Sequence, residues 1–229
     1  MKKILSFVFC LIMFITVCNY SIAEVEGRLN KRVEQCTIVL DEIMQMPEYS
    51  IPEDLLSKSS AIAIFPNTLK GGFIWGGRYG QGVIIARDPK TKKWSPPAFF
   101  TIGGVSWGLQ IGGEAIDLIL VIIGQDALDG LLLDNITLGG DASVAAGPVG
   151  RDADASTDLL LKGGIFSYSR TKGLFAGVAL KGAVITPNNV ANRTFYGEDL
   201  SSKEILVEGK AGMPESAKEL IETLSEYSK

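Results

Sequence analysis

Six basic side chains, Lys70, Arg78, Arg151, Arg170, Lys172 and Lys181, fall where strands are expected to end or turn. Gathered on one rim of a curved sheet, such groups would receive a phosphate, the guanidinium through paired N–H donors and the ammonium as a point charge. Scattered over the surface, they would be ordinary solvated cations. Other chemistries find less support. The chain contains no histidine, which removes the commonest general base, the His-dependent Ser and Cys triads and imidazole-ligated metal. Cys36 therefore has no partner for nucleophilic chemistry and reads as core. Glu114 and Asp117 stand three apart in a strand-like run, hence on opposite faces, so a joint catalytic role is not expected. A buried Asp117 would instead need hydrogen bonds or an ion pair.

Two further motifs start well and end wrongly. The run from Asp152 to Asp158 begins like a calcium loop, but Thr157 and Gly163 stand where the glycine and the bidentate glutamate belong. The glycine cluster from Gly76 to Gly82 lacks the Gly-Lys-Ser/Thr ending of a phosphate loop and leads into a strand, so it reads as a tight hairpin. No catalytic residue, metal site or cofactor is expected. An enzyme working on lipid or peptidoglycan with carboxylates alone would need two of them converging in one pocket, and no spacing suggests it.

The formal charge of −4 is opposite to that of a nucleic-acid binder, so no nucleic-acid partner is expected. Lys2 and Lys3 precede an apolar run from Ile4 to Val17 and the small-x-small site Ser21-Ile22-Ala23, the pattern of a signal peptide over residues 1–23 cleaved near Ala23. The protein is therefore expected to be exported to the periplasm or outer envelope. Ile15-Thr16-Val17-Cys18 loosely resembles a lipobox, but Val17 stands where a small residue is expected. With Cys10 and Cys18 in the leader, Cys36 is alone and no intramolecular disulfide can form. After the leader the longest apolar run, Ala115 to Gly124, is too short to cross a bilayer and contains Asp117, which suits a buried strand.

The elements that would position these residues follow from periodicity. Val25, Leu29, Val33, Cys36, Leu40 and Ile43 share one face of a helix over about 25–46, ended by Pro47. Its polar face sets Arg28, Lys31 and Arg32 against Glu24, Glu26, Glu34, Asp41 and Glu42, so the helix is expected to pack on the core and not on a membrane surface. A β core over about 60–185 follows, read as eight or nine short strands that include 61–65, 71–78, 82–87, 98–104 and 105–113. Of 26 glycines, 22 lie between Gly71 and Gly182, so sparse side chains are a property of the whole sheet. Strand glycines accompany strong bends or close backbone approach. The expected fold is therefore α+β: a strongly curved or closed antiparallel β-barrel-like sheet. Its small face would lie against a helix, itself or a ligand. Residues 125–133 read as a short helix over one end. A C-terminal amphipathic helix is expected over about 214–227, with Pro214 in its first turn and Leu220, Ile221 and Leu224 apolar. Residues 24–229 are expected to form a single domain.

Five fragments in order carry a resemblance: Lys70-Gly71-Gly72, residues 94–98 (WSPPA), 103–112 (GGVSWGLQIG), 146–151 (AGPVGR) and 168–177 (YSRTKGLFAG). Together they resemble the SYLF domain, also called the Ysc84 domain, over about residues 35–225. The resemblance implies a lipid-binding module whose eukaryotic members bind phosphoinositides and, in yeast and animals, are associated with actin. Bacterial members resembling this chain carry export signals and are phospholipid-binding envelope proteins. The sequence departs from the eukaryotic pattern in lacking an SH3 or FYVE segment and in its acidic first helix. Actin is accordingly not an expected partner unless the protein reaches a host. On this resemblance the expected function is non-enzymatic binding of an anionic phospholipid or membrane surface in the bacterial cell envelope. The headgroup candidates are Lys70, Arg151, Arg170 and Lys172, and Trp75 and Trp107 would meet acyl chains if they line an open apolar groove. The alternative is an actin- or filament-binding module.

Overall fold

The strand segments 59–72 and 75–86 each join an apolar run (61–65 and 83–86) to a half that carries glycine (71 and 72; 76, 77, 80 and 82), and this division organises the molecule. A computed structural model describes residues 24–46, 48–72, 75–107, 112–132, 135–149, 164–171, 174–177 and 180–229, with the backbone alone at 72, 75, 76, 105–107, 112, 171 and 174–177. The expected signal segment, Pro47 and the whole 152–158 run lie outside the described residues.

The elements in chain order are helix α1 (24–44), then α2 (Glu53–Ser57), β1 (Ser59–Gly72), β2 (Trp75–Ala86), β3 (Ala98–Trp107), β4 (Gly112–Ile123) and α3 (Gln125–Leu131). They continue with β5 (Ile136–Thr137), β6 (Val144–Ala146), β7 (Gly164–Thr171), β8 (Leu174–Gly177), β9 (Val184–Pro187), α4 (Asn189–Tyr196) and α5 (Ser202–Leu206). A 3-10 turn (Glu215–Ala217) leads into α6 (Lys218–Tyr227). The strands form one nine-stranded sheet in the order β5-β9-β3-β2-β1-β4-β7-β6, with β8 also on β7. All pairings are antiparallel except β6 with β7, a departure from the wholly antiparallel expectation.

The sheet is curled into a half-barrel with α1 and α6 packed on it. One face carries Ile62, Ile64, Val83, Ile85, Ile119, Val121 and Phe166 under the apolar stripes of α1 and α6. The other face gathers Phe65, Ile84, Phe100, Leu118, Leu120 and Ile122 with α3 and α5. Residues near both ends of the strand path, Ile136 and Ile165, share that second cluster, as a curled sheet requires. Such burial is the main favourable contribution to folding, roughly 25 cal/mol per Å² of apolar surface.

Three expectations need correction. The inner sheet is bulky on both faces, so bareness belongs to the strand ends and not to one face. The runs 61–65 and 71–78 are not separate strands: β1 is continuous from Ser59 to Gly72, and the cluster from Gly76 to Gly82 lies inside β2 instead of forming a hairpin. The physical reason is a bulge in β1. Its register with β2 shifts between Ile64 and Leu69, Asn67 takes φ +50°, and the Thr68 hydroxyl donates to the Phe65 carbonyl at 3.1 Å. The bulge presses onto β2, where a Cβ on Gly82 would lie 1.9 Å from the Ile64 carbonyl oxygen and one on Gly80 2.2 Å from Thr68 Oγ1. Only glycine admits that approach.

Candidate functional site

Beyond the bulge, β3 and β4 flank the β1–β2 pair, and the outer ends of all four strands lie side by side. The register pairs Gly71 with Gly77 and Gly113, Gly72 with Gly76 and Gly112, and Tyr79 with Gly103. Trp75 and Trp107, expected to meet acyl chains, stand directly opposite each other across β2 and β3.

One row crosses this glycine-rich end. Lys70 on β1 faces Arg78 on β2 and Glu114 on β4, and Arg78 in turn faces Gly104 on β3. Directly opposed residues share a face, and alternation from Ile84 and Ala86 puts Arg78 on the α3/α5 side of the sheet. Arg78 is half-buried, and its Nε is buried without a hydrogen-bond partner. Its guanidinium makes no ion pair among the described residues. Burial pulls the Arg78 guanidinium below its ordinary value. A desolvated cation lacking a counter-charge is costly, and the cost falls if an anion arrives. On the opposite face of the same strands Leu69 and Tyr79, a cross-strand pair, are 61 % and 53 % exposed. The strand ends therefore present a half-buried cation on one side and exposed apolar surface on the other.

The other headgroup candidates fare differently. Lys70 is half-buried beside Arg78. Arg151 and Lys172 lie outside the described residues. Arg170, on β7, donates through Nε to Asp117 at 2.7 Å, and its other nitrogens reach Asp117 at 2.6 Å and Glu42 of α1. The guanidinium expected at a phosphate-receiving rim is thus held between two carboxylates. Asp117 also accepts the Asn67 amide at 2.8 Å, which gives the buried carboxylate the partners it was expected to need. Burial raises the Asp117 carboxyl from its ordinary value while the Asn67 amide opposes that rise. Lys181 is exposed in the turn before β9, its side chain against Gly139.

The site assembled here is Lys70 with Arg78. Arg78 belonged to the six suggestive cations but not to the headgroup candidates, because periodicity does not tell a paired guanidinium from an unpaired one. The usable signal was its glycine-rich surroundings: no carboxylate stands within four residues of Arg78 in the sequence. Among the described residues, no three His, Cys, Asp or Glu side chains gather as a metal site would need, and no helix is long and apolar enough to cross a membrane.

A family profile described as Ysc84, Las17-binding protein actin regulator, matches residues 103–227. The chain is 40% identical over 179 residues to the SH3 domain-containing protein PJ696.02 of Schizosaccharomyces pombe, covering 76% of this chain and 41% of that protein. It is 42% identical over 159 residues to LAS seventeen-binding protein 3 of Saccharomyces cerevisiae, covering 68% of this chain and 34% of that one. It is 31% identical over 210 residues to human SH3 domain-containing YSC84-like protein 1, covering 89% and 60%. The chain thus spans less than two thirds of the length of each of these relatives.

Proposed function

The chain belongs to the Ysc84 family of Las17-binding protein actin regulators, and from that premise we propose that it is a non-enzymatic phospholipid-binding protein of the bacterial cell envelope. The observation that carries the reading is Arg78: a half-buried guanidinium whose Nε has no partner, with Lys70 beside it on the same face. An anionic headgroup would supply the missing acceptor through a charge-assisted hydrogen bond. Exposed Leu69 and Tyr79 on the other face of the same strand ends give the acyl region of a lipid something to meet. The leader-like residues 1–23 support export.

The experiment is vesicle flotation with phosphatidylcholine alone and with added phosphatidylglycerol. The protein is expected to float with the anionic vesicles, less so as salt rises, and Arg78→Gln with Lys70→Gln is expected to lose most of that binding without loss of folding. Protein that ignores anionic vesicles, or a double variant that floats as the parent does, overturns the reading.

A filament-binding module is the second reading, favoured by the actin-regulator description of the family. Cosedimentation with actin filaments separates the two: pelleting with filaments and no vesicle uptake reverses the order of preference.

A further inference from the structure

At the end of β2 remote from Arg78, the turn leading to β3 concentrates positive charge. Arg87, Lys90, Lys92 and Lys93 stand there against one acid, Asp88, on a chain that has 26 acids to 22 bases. The three lysines are exposed, and none makes an ion pair among the described residues. Asp88 is taken up by the turn itself, accepting the Lys90 amide at 2.9 Å and the Thr91 amide at 2.6 Å. Lys92 has φ +61°, a conformation that glycine adopts more easily. The turn thus keeps a cation where its backbone would be eased by glycine.

The turn is also held in shape. Arg87 donates through Nε to the Lys92 carbonyl at 3.1 Å and through its terminal nitrogens to the Ser57 and Ser228 carbonyls at 2.6 and 3.0 Å. Its guanidinium lies over the Trp94 ring, 5.4 Å from the centroid. A surface fixed in this way loses less freedom when a partner arrives. Beside it runs a groove of about 250 Å³ between the turn, α3 and the end of α5, walled by Trp94, Leu128, Leu206 and Val207 with Lys93 among them. Val207 is 47% exposed. Asp126 and Asp129 of α3 are exposed outside the lining, and Glu208, next to Val207, is matched by Lys203 and Lys210. Sites for drug-sized molecules run from about 300 to 1,000 Å³, so this groove suits an inserted side chain. A flat membrane surface could reach the lysines but would leave the groove unfilled.

We infer that this surface docks an acidic peptide segment of a partner protein. One apolar side chain enters the groove against Trp94 and Val207, and the carboxylates on either side of it meet Lys90, Lys92 and Lys93. Charge brings the segment in, and the groove fixes its register. The surface shares no residue with the Lys70–Arg78 pair, so either proposal can fail without the other.

The test uses the whole protein and an array of fluorescent peptides, each with one Leu, Ile, Phe, Met or Trp flanked by glutamates, beside the same array flanked by glutamines and an all-glutamate peptide. Polarisation is expected to show binding of the glutamate series, weakening as salt rises. Binding should be about tenfold weaker or more for the glutamine series and in K90E/K93E. V207D, which alters an exposed wall and keeps the parent's Tm, should lose as much. The amide signals of Leu128 and Val207 should move during the titration while that of Arg78 stays. Binding of no apolar member, equal binding of the glutamine series or of the all-glutamate peptide, or a K90E/K93E variant that binds as the parent does overturns the inference. So does sedimentation showing a self-associated parent and a monomeric K90E/K93E, because a second copy would then be the occupant.

Discussion

Arg170 on β7 and Asp117 on β4 are directly opposed across an antiparallel pair, and the guanidinium Nε donates to the carboxylate at 2.7 Å. The same side chain reaches Glu42 on α1, so one arginine ties two strands to the helix above them.

Because the Arg170 and Asp117 side chains are only 22% and 10% exposed, removing one partner strands the other in a poorly solvated site. Arg170→Met is expected to cost about 3 kcal/mol, and Glu42→Gln, whose side chain is 42% exposed, under about 1 kcal/mol. Urea unfolding measures both. If Arg170→Met is instead as stable as the parent, the ion triad does not hold the helix to the sheet.

Gly147 lies against the ring of buried Tyr168, whose hydroxyl donates to the Pro148 carbonyl at 3.0 Å. A Cβ at 147 would fall 2.1 Å from the ring. Gly147→Val is expected to destabilise by about 2 kcal/mol or more, while Tyr168→Phe loses only the hydrogen bond, about 1 kcal/mol. Thermal melts of the two variants should therefore rank in that order.

Cys36 is fully buried on the sheet-facing side of α1, its thiol donates to the Ile64 carbonyl, and burial pushes its pKa up. The native protein is expected to resist a thiol reagent at pH 8 and to react fully after unfolding. Rapid labelling of native protein would mean that α1 opens from the sheet far more readily than its packing allows.

Glu204 sits in a capping box with Ser201 and is bridged by Lys210 at 2.7 Å. The Lys210 hydrogen bond, then those from Ser201, depress its carboxyl from an ordinary 4.5 to about 2. A depressed carboxylate contributes stability that is whole above its unfolded value and fades as pH falls through the folded one. Glu204→Gln is accordingly expected to lower Tm at pH 6, with the difference from the parent closing between about pH 4.5 and pH 2. A difference that persists undiminished to pH 2 would show that the ionised carboxylate is not what stabilises the turn.

What could be read from residue order alone was whatever depends on neighbours along the chain. The three- and four-residue spacing from Val25 to Ile43 declares a helix face, Leu220 and Leu224 declare another, and the glycine economy from Gly71 onward declares a curled sheet. Those periodicities belong to a single segment, so no partner need be known. Turn positions, pairings and charge partners belong to contacts far apart in sequence. Asp117 and Arg170 are 53 residues apart and Glu42 is 128 from Arg170, so nothing local marks Arg170 as matched or Arg78 as unmatched. The β1 bulge, which turns Gly80 and Gly82 from apparent hairpin residues into points of close contact, likewise exists only once Ile64 and Thr68 lie on β2. Side-chain spacing determined the elements; the register between distant strands decided which cations remain open to a ligand.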